Sequence, residues 1–368
     1  MSFQQIFSLS VGRILTVVFI FAAGFSLSST AGATDHSVKM DFDGDGKTDL
    51  AVYRPGQRNI FPLQNSYFYI LGSQTGQTIT HQWGRAYDIH SPADYDGDGK
   101  TDVAVFRWLD NNLSSTESDY YVKNTAGGNK AIHFSGFGNI VSRNYFDNQR
   151  AEIAVFDYHD ISEDPVNPCL IAAFYIKAEG SDFPVQKDIT DTCLPARQFI
   201  TPAIFDYNAD GKSDVCVFVQ PPPNSNTQAD KSKNSRQLSE KHFELWWSPV
   251  TNQYTPPDLV FNFDIDYPIP GDYDGDGIGD FAGSKTVGGS RLWRIRKSTS
   301  GEVIETVFGT SLDLPVPGDY DGDGKTDIAV FRAGIWYIKR STDEAVITHS
   351  FGGSSDIPLT VPNSNVYF

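Results

Sequence analysis

Long apolar runs are almost missing from this chain of 368 residues. After "ILTVVFIFAAGFSL" at 14–27, no stretch is long and apolar enough to span a bilayer. Cysteine is scarce, with only Cys169, Cys193 and Cys216, so a disulfide-dense scaffold is excluded. The seven histidines (His36, His81, His90, His133, His159, His242 and His349) are scattered and show no zinc-ligand spacing. Positive charge is in deficit. Lys and Arg number 29 against 46 Asp and Glu, and the net charge of −17 argues against nucleic acid, which needs a clustered basic face. No nucleophile elbow, phosphate loop or dinucleotide fingerprint occurs, and helix signals are almost absent after residue 36. What remains is acid, glycine and aromatic residues in a repeating order.

Residues 1–33 read as a targeting segment rather than as part of the fold. Arg13 precedes the apolar run, which is short for a membrane span, and Ala31-Gly32-Ala33 forms an A-x-A cleavage site. The expectation is a signal peptide over 1–33 and a mature chain over 34–368, secreted, extracellular or periplasmic, acting as a monomer. In such an oxidising compartment Cys169 and Cys193 could pair. Cys216 stands where other repeats carry Ala51, Ala104 and Ala329, which marks it as a small buried residue.

The repeat is the dominant signal, and a missed repeat misassigns a whole fold. "DFDGDGKTDLAVYR" starts at Asp41 and "DYDGDGKTDVAVFR" at Asp94; "DYNADGKSDVCVFV" follows at Asp206, "DYDGDGIGDFAGSK" at Asp272 and "DYDGDGKTDIAVFR" at Asp319. An eroded copy, "NYFDNQRAEIAVFD", starts at Asn144, so the six copies are spaced by 53, 50, 62, 66 and 47 residues.

Each intact copy puts oxygen side chains at loop positions 1, 3, 5 and 9. These are Asp41, Asp43, Asp45 and Asp49; Asp94, Asp96, Asp98 and Asp102; Asp206, Asn208, Asp210 and Asp214; Asp272, Asp274, Asp276 and Asp280; and Asp319, Asp321, Asp323 and Asp327. The spacing resembles the first nine positions of a helix–loop–helix calcium loop, in which position 7 offers its carbonyl and glycine at position 6 permits the turn. Hard oxygens in a flexible ring suit calcium better than magnesium. No Glu stands at position 12, and the flanks alternate like strands, so the loop must join two strands with position 9 coordinating directly. An Asp/Gly-rich turn that binds nothing is the plainer alternative, but five copies keep the same four positions. In the eroded copy the four positions hold Asn144, Phe146, Asn148 and Glu152, with Arg150 alongside; Phe146 cannot ligate, so that loop should be empty. Five Ca²⁺ ions would bring the charge of the mature chain to about −8.

Each unit also reads as four short strands. One leads into the loop, one leaves it, a third is aromatic ("SYFYIL" at 66–71, "IWYIK" at 335–339), and a fourth ends in Trp83-Gly84, Phe137-Gly138, Phe308-Gly309 or Phe351-Gly352. Four strands repeated radially imply an all-β propeller of four-stranded antiparallel blades. Six complete repeats favour six blades; "DIPLTVPN" at 356–363 either closes the ring on the first blade or is the remnant of a seventh. The aromatic residue at loop position 2 (Phe42, Tyr95, Tyr145, Tyr207, Tyr273, Tyr320) is read as packing between blades.

These units resemble the FG-GAP repeats of integrin α-subunit propellers, and more closely bacterial FG-GAP-like (VCBS) repeats. The resemblance covers about 37–362. It implies a propeller with calcium in the hairpins between the first two strands of each blade. It does not fix one activity, because the fold hosts adhesion, sugar-binding and lyase functions. The expected role is a calcium-binding module for an extracellular glycan or protein ligand, with no catalytic residue assigned. The alternatives are a polysaccharide-active, lyase-like enzyme or a structural scaffold. Insertions at 55–65, 108–116, 158–168 and 220–241 collect on the face away from the calcium hairpins. Arg54, Arg107 and Arg332 follow the second strand in three repeats; they could meet an acidic ligand there or pair with neighbouring acids.

Overall fold

The computed structural model describes residues 39–58, 61–109, 117–135, 138–146, 150–160, 170–177, 184–188, 199–220, 241–247 and 263–360. The segment 1–33, Cys169, Cys193, Asn148 and most of the insertions at 108–116, 158–168 and 220–241 lie outside the described residues.

Six small antiparallel sheets follow one another along the chain, five of four strands and one of which three strands are described. In blades 2, 5 and 6 the sheet order follows the chain: a two-residue first strand, a buried second, an aromatic third and an outer fourth. Blade 6 runs Leu314–Pro315, Ile328–Arg332, Ile335–Lys339 and Val346–Ser350. Second strands such as Leu50–Arg54 (LAVYR) are buried on both faces. Period-2 alternation therefore sends neighbouring side chains into different cores. Leu50 and Val52 pack with Phe331 and Trp336 of blade 6, while Ala51 and Tyr53 pack with Val103 and Val105 of blade 2. The cores thus lie between blades, which is why apolar residues run continuously in these strands. Fourth strands, as at Thr78–Arg85, carry mostly exposed residues and form the outer edge. Cys216 is fully buried at the place of Ala51, Ala104 and Ala329, as its alignment implies.

The last strand among the described residues settles the blade number at six. Ile357–Pro358 pairs antiparallel with Leu50–Arg54, opposing Tyr53 and Val52, and the Leu359 amide donates to the Ala51 carbonyl at 2.8 Å. The C-terminal strand is therefore the first strand of the first blade, and no seventh unit begins there.

Three repeated devices lock blade to blade. In the first, the amide at loop position 8 donates to the position-1 carbonyl of the preceding blade's loop. The six bonds are Thr101 to Asp41, Ala151 to Asp94, Ser213 to Asn144, Gly279 to Asp206, Thr326 to Asp272 and Thr48 to Asp319, all 2.6–2.7 Å. They form a closed ring that includes the eroded third copy.

The second device is the position-2 tyrosine. The hydroxyls of Tyr95, Tyr145, Tyr207, Tyr273 and Tyr320 each donate to the carbonyl four residues earlier, at 2.6–2.9 Å. These rings are packing residues, as expected, and their polar tips are satisfied.

The third device is an arginine clamp, which gives Arg54, Arg107 and Arg332 intramolecular partners. Arg107 grips Asp88 through Nε and Nη2 (2.8 and 2.6 Å), Arg332 grips Asp313 (2.6 and 2.7 Å) and Arg54 grips Asp356 (2.6 and 2.7 Å). Each guanidinium also lies over a tyrosine of the third strand, Tyr121, Tyr337 or Tyr69, at 4.4–5.0 Å. Each aspartate sits four residues after the blade-ending glycine, on the link into the next blade, so the clamp fixes blade orientation. At ring closure the same clamp joins chain ends 302 positions apart.

Arg54→Met should therefore leave the buried Asp356 carboxylate without its partner. The expected cost is about 2–4 kcal/mol, the low part of the range for a broken buried pair because the guanidinium is half exposed. Urea unfolding of this variant beside Arg107→Met should show similar losses; a loss below ~0.5 kcal/mol for Arg54→Met would mean that the clamp does not hold the ring shut.

Candidate metal centres

Each acidic loop is an anti-paired hairpin, pinned at its base by a bridge such as Gly318 to Asp327 or Ala93 to Asp102. Glycines at positions 4 and 6 adopt left-handed φ, for example +83° at Gly44 and +87° at Gly46. This is the conformation glycine adopts without strain, and it turns successive amides inward. Position 1 receives them: Asp41 Oδ1 accepts from the Gly44 amide (2.6 Å) and Oδ2 from the Gly46 amide (2.8 Å). Asp272 and Asp319 do the same with Gly275 and Gly277, and with Gly322 and Gly324. Position 5 accepts from the position-7 amide, as Asp45 does from Lys47 at 2.9 Å.

Position 9 braces the loop against the rest of the blade. Asp49 Oδ2 accepts from the Phe42 amide (2.7 Å) and Oδ1 from the Ser73 amide (2.6 Å). Asp102, Asp280 and Asp327 repeat this with Thr125, Ser298 and Ser341. These donors belong to the turn between the third and fourth strands, a second wall of the site that the loop motif alone did not reveal. Its hydroxyls reach position 5, as Ser73 Oγ does to Asp45 Oδ2 at 2.8 Å. A Ser or Thr at the same place after the aromatic strand (Ser73, Thr125, Ser298, Ser341) was the available signal.

The fold draws three carboxylates within 4.8 Å of one another in four loops: Asp41, Asp43 and Asp45; Asp94, Asp96 and Asp102; Asp272, Asp274 and Asp276; and Asp319, Asp321 and Asp323. These clusters could hold metal ions. Asp49, Asp98, Asp280 and Asp327 stand in the same loops outside those groups of three. In the fourth loop Asn208 replaces one carboxylate, and Asp206, Asp210 and Asp214 are not drawn together in this way. A donor deficit accompanies the clusters. Asp43 Oδ1, Asp274 Oδ1 and Asp210 Oδ2 are buried and accept no hydrogen bond. Buried carboxylate oxygens without a donor are costly, and they fit a cation that the amides cannot replace.

The described part of the eroded third loop keeps the bracing contacts, with Phe146 in place of a ligand. Glu152 takes the position-9 role, accepting from the Tyr145 amide at 2.5 Å, and Asn144 turns its amide group to the Gly211 carbonyl at 2.9 Å. Among the described residues, His90 is buried against the Tyr53 ring and His133 faces Asp119 at 3.1 Å, both apart from these loops.

A six-bladed propeller with acidic hairpins on one face defines the class of protein. Residues 41–105, from the first loop through the second, match the FG-GAP-like repeat family, and with six blades this is consistent with an integrin-α-like FG-GAP propeller. No curated protein and no solved structure matches the chain. FG-GAP propellers are scaffolds of the binding and adhesion type, and such repeats are typical of extracellular proteins. Among the described residues no helix is long and apolar enough to cross a membrane.

Burial pushes Asp49, Asp102, Asp280 and Asp327 up to about 6, aided by neighbouring carboxylates. Burial raises Asp41, Asp94, Asp206 and Asp272 as well. A carboxyl raised in the folded state above its unfolded value of about 3.9 stabilises the fold fully below that value and loses this as pH rises through the folded pKa. In chelator, the melting temperature should thus fall between pH 5 and pH 7. With millimolar Ca²⁺ it should rise over the same interval, because ligation requires the ionised form. A flat chelated profile in differential scanning calorimetry would contradict the raised carboxyls.

Proposed function

We propose that this chain is a secreted, calcium-clamped propeller that acts as a binding or adhesion module for an extracellular glycan or protein. The observation that carries the metal reading is the set of buried oxygens without donors, on Asp43, Asp210 and Asp274, inside loops whose amides already serve the other carboxylates. Calcium would supply divalent charge to hard oxygen ligands. The residues that would hold it are the position 1, 3, 5 and 9 side chains of the five intact loops. The chain's own contribution is to fix those side chains through the amides at positions 4 and 6 and the third turn of each blade. Clamping five of the six loops would in turn stiffen the ring and the face opposite them.

The binding reading rests on the repeat family and on the insertions in the sequence, which fall after the second strand of the repeats, at the end opposite the acidic loops. The acids that would otherwise invite an acid–base mechanism are engaged within the loops, which favours a binding module over a lyase.

Two measurements test this. Calorimetric titration of the mature chain, freed of metal, should find about five Ca²⁺ sites with a large rise in melting temperature; three or fewer sites, or no thermal shift, would sink the clamp. A glycan array probed in millimolar calcium and again in chelator should show calcium-dependent binding to a related set of sugars. Silence in both buffers would direct the search to a protein partner.

A further inference from the structure

We infer that the cationic side chain at loop position 7 belongs functionally to the preceding blade's loop, as a built-in cation that holds its carboxylates together before metal arrives. This rests on the metal reading above. The position-7 backbone serves its own loop, since the Lys100 amide donates to Asp98 at 2.9 Å. Its side chain serves the neighbour: Lys100 Nζ donates to the Asp43 carbonyl at 2.9 Å. The stem lies across the neighbour's position-4 glycine, where a Cβ on Gly44 would meet Lys100 Cε at 2.7 Å. Lys47 crosses Gly322 in the same way (2.8 Å), and Lys325 crosses Gly275 (2.9 Å). All three lysines are half-buried.

The cations are distributed according to the acids they face. The loops with four aspartates, starting at Asp41, Asp94, Asp272 and Asp319, are followed around the ring by Lys100, Arg150, Lys325 and Lys47. The loop starting at Asp206 has three aspartates, and it is followed by Ile278. That same loop carries Ala209 at position 4, at φ 60°, where every other intact loop has glycine. The side chain missing from the following blade and the methyl tolerated beneath it thus coincide. With one divalent ion, four acids plus one position-7 cation and three acids without one reach the same net charge of about −1, to which Lys39 adds a second cation, 3.3 Å from Asp319, in the loop starting there. The third loop, with Glu152 as its one acid among the four ligand positions, is followed by Lys212 and is balanced without metal.

The position-7 cation and a metal ion stabilise the same carboxylates, so they compete electrostatically. A lysine here strengthens the metal-free loop and weakens metal binding. It therefore sets how much of the propeller's stability waits on metal.

The test is Lys100→Met in the full mature chain, which keeps the stem over Gly44 and removes the charge. In chelator the variant should melt below the wild type; in millimolar Ca²⁺ it should melt with the wild type. The calcium-induced shift is then larger, and one site binds Ca²⁺ roughly three- to tenfold more tightly in calorimetry. The converse variant, Ala209→Gly with Ile278→Lys, should raise the chelated melting temperature and weaken one site. An equal drop for Lys100→Met in both buffers would make the lysine a packing residue and overturn the inference. A wild type with no calcium shift would instead overturn the metal reading on which it stands.

Discussion

The structure depends on a ring of six backbone hydrogen bonds, each running from loop position 8 of one blade to the position-1 carbonyl of the blade before it. Small twisted sheets cannot bury their faces alone, so a blade is stable only between two neighbours. The ring bonds set the spacing of those neighbours at the very loops where the acids collect. The third copy keeps its link on both sides although Phe146 stands at one of its ligand positions. Ala151 and Ser213 still complete two of the six links, and a break at any one would open the ring.

Most of the loop carboxylate oxygens, though not Asp43 Oδ1, Asp210 Oδ2 or Asp274 Oδ1, are answered locally. Amides from left-handed glycines serve position 1, the turn between third and fourth strands serves position 9, and lysines from the next blade cross position 4. On the other side of three blades the answer is arginine: Asp88, Asp313 and Asp356 are buried with bidentate guanidinium groups reaching them, beside the amides of Arg85, Thr310 and Gly353. The two faces thus use opposite solutions to the same cost of buried charge. One leaves buried oxygens that could hold a cation, and the other carries its own.

Much of this was legible in one sequence. Six copies with one unit length gave a radial fold, and the alternation in "DIAVF" and "IWYIK" gave strands with apolar faces on both sides. The clamp aspartates were not found, although Asp88, Asp313 and Asp356 each follow a blade-ending glycine by four residues. They belong to no recognisable loop motif, and their partners lie in the next repeat or, for Asp356, at the far end of the chain. The serine and threonine wall was missed for the same reason. Ser73 lies 24 residues from the Asp49 it supports, and only the folded hairpins bring them together.

The sequence by itself determined what repeats: the strand count per unit, the acidic positions within each loop, and which copy lost its ligands. These are local properties of spacing and residue type. Only the tertiary structure decided how the units join. It made Ile357–Pro358 the first strand of the first blade, and it gave Arg54, Arg107 and Arg332 internal partners. It also placed Lys47, Lys100 and Lys325 over a neighbour's loop rather than their own. The physical reason is common to all three. A repeat's sequence fixes the geometry within one blade, while contacts between blades depend on the curvature that six of them must share to close.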